Sequence, residues 1–102
     1  MDTKEKTLDI VSLKGKTALI TGGTSGIGHG TARLLAEAGA QIALIDILES
    51  KGEMVADEII KNGGSAKFFR CDVTSSADCE KTTQMVIAEF GNIDILFNNA
   101  GI

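Results

Sequence analysis

Four short apolar runs recur along this chain, each separated from the next by a longer stretch with helical spacing. That alternation restricts the fold more than any other property of the sequence. The runs are Thr17–Thr21, Gln41–Asp46, Ala66–Cys71 and Ile93–Phe97. Between the first two, Ile27, Thr31, Leu34, Leu35 and Ala38 are expected on one helix face, ended by Gly39 as a left-handed cap. A second helix is predicted from about Glu49 to Lys61, with Val55, Ala56, Ile59 and Ile60 inward, closed by Asn62-Gly63-Gly64. A third begins at a capping-box pattern, Ser75-x-x-Asp78, turns Cys79, Thr83, Val86, Ile87 and Phe90 inward, and stops at Gly91. The order is therefore βαβαβαβ. Strands joined by helical crossovers lie parallel, and the crossovers are almost always right-handed. Continuous apolar strands imply a sheet covered on both faces. The expected architecture is a doubly wound α/β sheet.

Composition removes other classes. The chain has 102 residues, enough for one domain with a core of its own. Its net charge is −4, unlike the basic footprint of a nucleic-acid binder. Residues 1–13 read as a polar tail without the apolar segment of a signal peptide. No apolar run approaches the roughly 20 residues that span a bilayer, so no membrane role and a cytoplasmic location are expected. Cys71 and Cys79, with the single histidine, lack zinc-ligand spacing and are expected to be reduced, mostly buried thiols; no metal site is expected. There is no tyrosine, which excludes any mechanism that needs one within these residues.

In a doubly wound sheet, ligands bind beyond the carboxyl ends of the strands. The four loops there are Gly22–Gly26, Asp46–Leu48, Asp72–Thr74 and Asn98–Gly101, and they hold the chain's unusual polar and glycine clusters. The first reads Thr21-Gly22-Gly23-Thr24-Ser25-Gly26-Ile27-Gly28. Its glycines let the backbone approach a ligand, and it feeds a helix N-terminus that favours a phosphate. Thr24 and Ser25 add hydroxyl donors. A plain strand-to-helix turn is the alternative. A P-loop reading fails, because His29-Gly30 stands where lysine and a hydroxyl residue are required. Gly26-Ile27-Gly28-His29-Gly30 also resembles the glycine motif of S-adenosylmethionine-dependent methyltransferases, although Thr24-Ser25 replaces the acidic residue usual before it; the loop alone leaves that reading open.

Asp46 lies 20 residues after Gly26, where a carboxylate accepts from an adenosine ribose and repels a 2′-phosphate. No arginine or lysine adjoins it in sequence, so NAD is expected over NADP. Asp72 can accept from an adenine amino group and Val73 can pack on the ring; alternatively Asp72 caps the following helix. Asn98-Asn99-Ala100-Gly101 offers amides beside the glycine loop, or is an ordinary turn. His29 reads as a helix surface residue and Asp94 as structural.

Together, Thr21-Gly22-x-x-x-Gly26-x-Gly28, Asp46, Asp72-Val73 and Asn98-Asn99-Ala100-Gly101 resemble the short-chain dehydrogenase/reductase family over about residues 14–102. The resemblance implies a Rossmann-like sheet of which only the first βαβαβαβ portion is present. It implies a nicotinamide dinucleotide with its phosphates at Gly22, Ser25, Gly26, Ile27 and Gly28. Its adenosine ribose falls at Asp46 and Ile47, its adenine at Asp72 and Val73, and further contacts at Asn98, Asn99, Ala100 and Gly101. The family interconverts alcohols and ketones by hydride transfer. Its catalytic Ser and Tyr-x-x-x-Lys follow Asn-Asn-Ala-Gly and have no counterpart here, so no catalytic residue is assigned. The chain is expected to bind cofactor without turnover, as a fragment, a truncated product or a non-catalytic module acting through a partner. In the usual 3-2-1-4 strand order the fourth strand is a bare edge and one face carries only the third helix, which predicts self-association.

Overall fold

A computed structural model describes residues 12–99. The element order is β1 (Thr17–Thr21), α1 (Gly26–Glu37), β2 (Gln41–Asp46), α2 (Glu49–Lys61), β3 (Ser65–Arg70), α3 (Ser76–Phe90) and β4 (Ile95–Asn98). The sheet is parallel throughout in the order β3-β2-β1-β4, as the alternation predicts. β1 and β2 occupy its centre and carry the least exposed residues: Ala18, Ile20, Ile42, Ala43 and Leu44 are fully buried. Burying one such isoleucine or leucine contributes about 1.5–3 kcal/mol, so these two strands anchor the fold.

Alternate residues divide between two cores, because successive strand side chains point to opposite faces. On one face Ala18, Ile20, Ile42 and Leu44 meet Ala32 of α1 and Val55, Ala56 and Ile59 of α2. On the other, Leu19, Ala43, Ile45 and Phe69 meet Val86 of α3. The second face thus has a single helix over it among the described residues, as expected. Leu96 of β4 is 66% exposed there, and an open apolar groove of about 380 Å³ runs past Leu19, Ile45, Cys79, Thr82, Ile93 and Leu96.

Several helix faces differ from the sequence expectation. Ile27 and Leu34 of α1 are exposed; the helix packs on the core through Ala32, Ala36 and the expected Leu35, with Gly28 buried against the glycine loop. Small residues let α1 approach closely, so size rather than hydrophobicity selects its inner face. In α2, Ile60 is exposed while Gly52 is buried against Phe68. In α3, Thr82 and Val86 are buried and Ile87 and Thr83 are exposed, because the helix covers only part of its face of the sheet.

Strand ends shift by one or two residues. β3 is set one residue earlier than predicted, and β4 begins at Ile95 rather than Ile93. Asp94 precedes β4 and has the structural role expected of it. Its carboxylate accepts the Thr17 N–H at 2.9 Å while its own N–H donates to the Thr17 carbonyl at 2.9 Å, tying the start of β1 to the entry of β4. Gly39, at φ 105°, ends α1 in the left-handed region as expected.

Candidate dinucleotide site

The carboxyl ends of β1, β2, β3 and β4 bring the four loops to one edge of the sheet. β1 ends in Gly22, whose φ of 65° turns the chain sharply, and its N–H donates to the Ile45 carbonyl at 2.8 Å. The loop then passes over Leu44 at Gly23 and enters α1. Gly28 packs directly against the loop: a Cβ there would lie 2.2 Å from the Gly22 carbonyl oxygen. Only glycine permits this closure. It sets the first-turn amides of Gly26, Ile27 and Gly28, which have no acceptor within the helix, at the site's mouth.

Asn99 braces the loop from the end of β4. Its backbone N–H donates to Thr21 Oγ1 at 3.0 Å, and its side-chain amide donates to Ser25 Oγ at 3.1 Å and to the Gly22 carbonyl at 3.3 Å. The Ser25 hydroxyl donates to the same carbonyl at 2.9 Å. Thr21 Oγ1 in turn donates to Asn98 Oδ1 at 2.9 Å. Asn98 and Asn99 are therefore beside the glycine loop, as expected, and Asn99 shapes it. Ala100 and Gly101 lie outside the described residues.

Asp46 ends β2 with both carboxylate oxygens engaged. Oδ2 accepts the Thr24 hydroxyl at 2.6 Å; Oδ1 accepts the N–H of Ile47 at 2.7 Å and of Leu48 at 3.2 Å. Partial burial works to raise its pKa, but the Thr24 hydroxyl and the backbone N–H groups of Leu48, Ile47 and Thr24 outweigh it and hold the carboxyl below the usual carboxylate range. Thr24 is buried and its hydroxyl is directed to Asp46, a pairing invisible in sequence because the partners lie 22 positions apart.

Asp72 is also held ionised, by the Thr74 hydroxyl at 2.6 Å and the Thr74 N–H at 3.0 Å, with Arg70 adding a smaller attraction. It does not cap the helix. Ser75 does, accepting the Asp78 N–H at 3.2 Å, while Asp78 reaches back to the Asp72 N–H at 3.1 Å rather than to Ser75. The pattern is thus half a capping box, with its second arm fastening the Asp72 loop. Arg70 stands opposite Asp46 in the strand register, a cation that sequence adjacency does not reveal; its charge acts on Asp72.

These loops enclose a cleft of about 170 Å³ lined by Gly22, Ile45, Asp46, Ile47, Cys71, Asp72 and Val73. It joins the three parts of the chain to which the sequence assigns phosphate, ribose and adenine contacts. The first-turn amides favour an anion, the carboxylates accept hydroxyl or amino donors, and Val73, 40% exposed, offers an apolar surface. His29 lies apart on α1, with Nε2 3.3 Å from Glu58 on α2. Of the cysteines, Cys71 is buried and Cys79 half-buried, and both are free thiols. Burial, followed by the neighbouring Cys71, pushes the Cys79 thiol pKa up. No helix among the described residues is long and apolar enough to cross a membrane.

A parallel sheet with this strand order, a glycine turn feeding a helix and acidic residues at the next two strand ends define a Rossmann-like α/β protein. The family model for short chain dehydrogenases matches residues 16–102, and the chain belongs to that family. Among curated proteins it is similar to Short-chain dehydrogenase reductase 3a of Arabidopsis thaliana, at 41% identity over 88% of this chain and 34% of the relative. Among solved structures, an NAD+-bound xylitol dehydrogenase aligns with TM-score 0.84 and 42% identity over 87% of this chain and 34% of its own. A metagenomic short-chain oxidoreductase in complex with NADP aligns with TM-score 0.84 and 37% identity over 88% and 41%. The chain spans about a third of the length of the curated relative it matches.

Proposed function

We propose that this chain is the NAD-binding part of a short-chain oxidoreductase that interconverts an alcohol and a ketone. The observation that carries this reading is the position of Asp46: an ionised carboxylate at the end of β2, in one cleft with Gly22 and Asp72. The phosphates would rest against Gly22, Ser25, Gly26, Ile27 and Gly28. The adenosine ribose would lie at Asp46 and Ile47, the adenine at Asp72 and Val73, and Asn98, Asn99, Ala100 and Gly101 would contact the rest. The bound nicotinamide supplies the hydride acceptor or donor. The chain's own residues bind and orient the cofactor. These 102 residues hold no tyrosine, so the part they play in this proposal is cofactor binding.

NAD is preferred over NADP in this proposal because a 2′-phosphate would meet the Asp46 charge. Solved relatives carry either cofactor, so the preference rests on Asp46 itself. Calorimetry with each dinucleotide tests it. NAD should bind more tightly, and Asp46→Ala should weaken NAD and narrow the gap to NADP. An absence of heat with both dinucleotides would refute cofactor binding. An unchanged preference in the variant would refute the ribose assignment alone.

Self-association is part of the same proposal. Among the described residues β4 is an edge strand beside an exposed apolar groove, and such surfaces seek a partner strand or helix. Light scattering on the isolated chain should reveal oligomers; a monodisperse monomer would count against it. A cytoplasmic setting belongs to the same proposal, supported by the two free thiols.

A further inference from the structure

We propose that Thr24 determines how strictly Asp46 separates a free adenosine ribose from a 2′-phosphorylated one. This inference rests on the preceding reading that Asp46 faces the ribose. An ionised carboxylate has about four acceptor positions. Most are engaged inside the protein: Oδ2 by the Thr24 hydroxyl and Oδ1 by the N–H groups of Ile47 and Leu48, with the Thr24 N–H also acting on the carboxylate.

Of these donors only the Thr24 hydroxyl belongs to a side chain, and it holds Oδ2. The terminal torsion of an aspartate is broad and soft. Without the hydroxyl, the carboxylate could swing about the Oδ1 contacts and take a proton more readily. With it, the charge stays at one place and stays ionised. Thr24 is well suited to the task because it is only 9% exposed and its contact is short, at 2.6 Å. A 2′-phosphate approaching that fixed anion can neither push it aside nor find it neutral.

The other charged groups on elements around Asp46 are Arg70 on β3, Asp72 beyond it, and Glu49 and Lys51 at the start of α2. On α1, His29 and Arg33 both lie against Glu58 of α2. Among the described residues the only side-chain partner of Thr24 is Asp46, so a difference between valine and serine at this position reports the hydroxyl.

The experiment compares the full chain with Thr24→Val and Thr24→Ser. Calorimetry gives dissociation constants for NAD and NADP, and carbon-13 NMR follows the Asp46 carboxyl through its titration. Thr24→Val should lower the NADP-to-NAD ratio of dissociation constants about tenfold, the size expected for one hydrogen bond to a charged group. It should also raise the titration midpoint. Thr24→Ser, which keeps the hydroxyl, should restore both. A wild-type ratio in Thr24→Val, or a serine variant that behaves like valine, overturns the proposal. If the valine variant fails to fold, the wild-type midpoint decides: a value in the ordinary carboxylate range overturns it, and a depressed one retained by serine supports it. Failure of the wild-type chain to bind either dinucleotide would overturn the ribose reading. The ligand-free titration would then still decide whether Thr24 controls Asp46.

Discussion

Replacing Gly28 by alanine isolates the contact that closes the glycine loop. The new Cβ would lie 2.2 Å from the Gly22 carbonyl oxygen and 3.0 Å from both the Gly22 carbonyl carbon and Asn99 Nδ2. Close carbon–oxygen contacts are normally about 3.3 Å or more, so loop and helix must separate by roughly 1 Å. That oxygen accepts three hydrogen bonds, from the Ser25 N–H at 3.2 Å, the Ser25 hydroxyl at 2.9 Å and the Asn99 amide at 3.3 Å. Each contributes about 1 kcal/mol, and a displacement of this size disturbs all three. Alanine recovers up to about 1 kcal/mol of helix propensity, which leaves a net loss of about 2 kcal/mol. Gly30→Ala is the matched control. It changes the same residue type in the same helix, where a Cβ meets nothing within 4 Å, and should be neutral or slightly stabilising. Urea unfolding of both variants gives the stability difference, and calorimetry with NAD should show weakened binding for Gly28→Ala alone. Equal stability and equal affinity in the two variants would refute the role assigned to the Gly28–Gly22 contact.

Three further outcomes are expected. Gly52→Ala places a Cβ 2.1 Å from the Phe68 ring, inside the core, and should cost about 1–2 kcal/mol after helix propensity is counted; a thermal melt at the wild-type temperature would contradict that packing. Asp94→Ala leaves the part-buried Thr17 N–H without its acceptor and should cost about 1–3 kcal/mol, with hydrogen exchange accelerated first along β1 and β4. Acid should destabilise the chain through Asp46 and Asp72. Both carboxyls lie below their ordinary values when folded, so their contribution is present above about pH 4 and is lost as pH falls through the folded-state values. Stability that fails to decline in that window, or declines equally in Asp46→Asn, would contradict the Asp46 share.

Much of the site was legible because its chemistry is local in sequence. Gly22, Gly26 and Gly28 announce a tight turn into a helix, and Asp46 and Asp72 announce acceptors at strand ends. The partners of those groups were not legible. Thr24 sits in the glycine loop, yet its hydroxyl faces a carboxylate from the next strand. Ser75 is the helix cap that its capping-box pattern predicts, but Asp78, the box's other member, ties the Asp72 loop instead of closing the box. Arg70 was not weighed at the site at all, since only the β2–β3 register brings it opposite Asp46.

The helix faces teach the same lesson. Periodicity located all three helices but misjudged Ile27, Leu34, Ile60 and Ile87, which are exposed. A hydrophobic stripe says that some face is buried, not how close the helix must come. Gly28 and Gly52 are buried because the Gly22 loop and the Phe68 ring leave no room for a side chain.

By itself, then, the sequence determined the element order, the parallel sheet and the edge at which the loops gather. Alternating periods and right-handed crossovers leave few other solutions for such a chain. Tertiary structure alone decided which hydrogen bond each loop group makes and which helix residues meet the sheet. Those depend on contacts between residues far apart in the chain, such as the 77 positions between Thr17 and Asp94, and on the space left between packed elements. No local pattern encodes either.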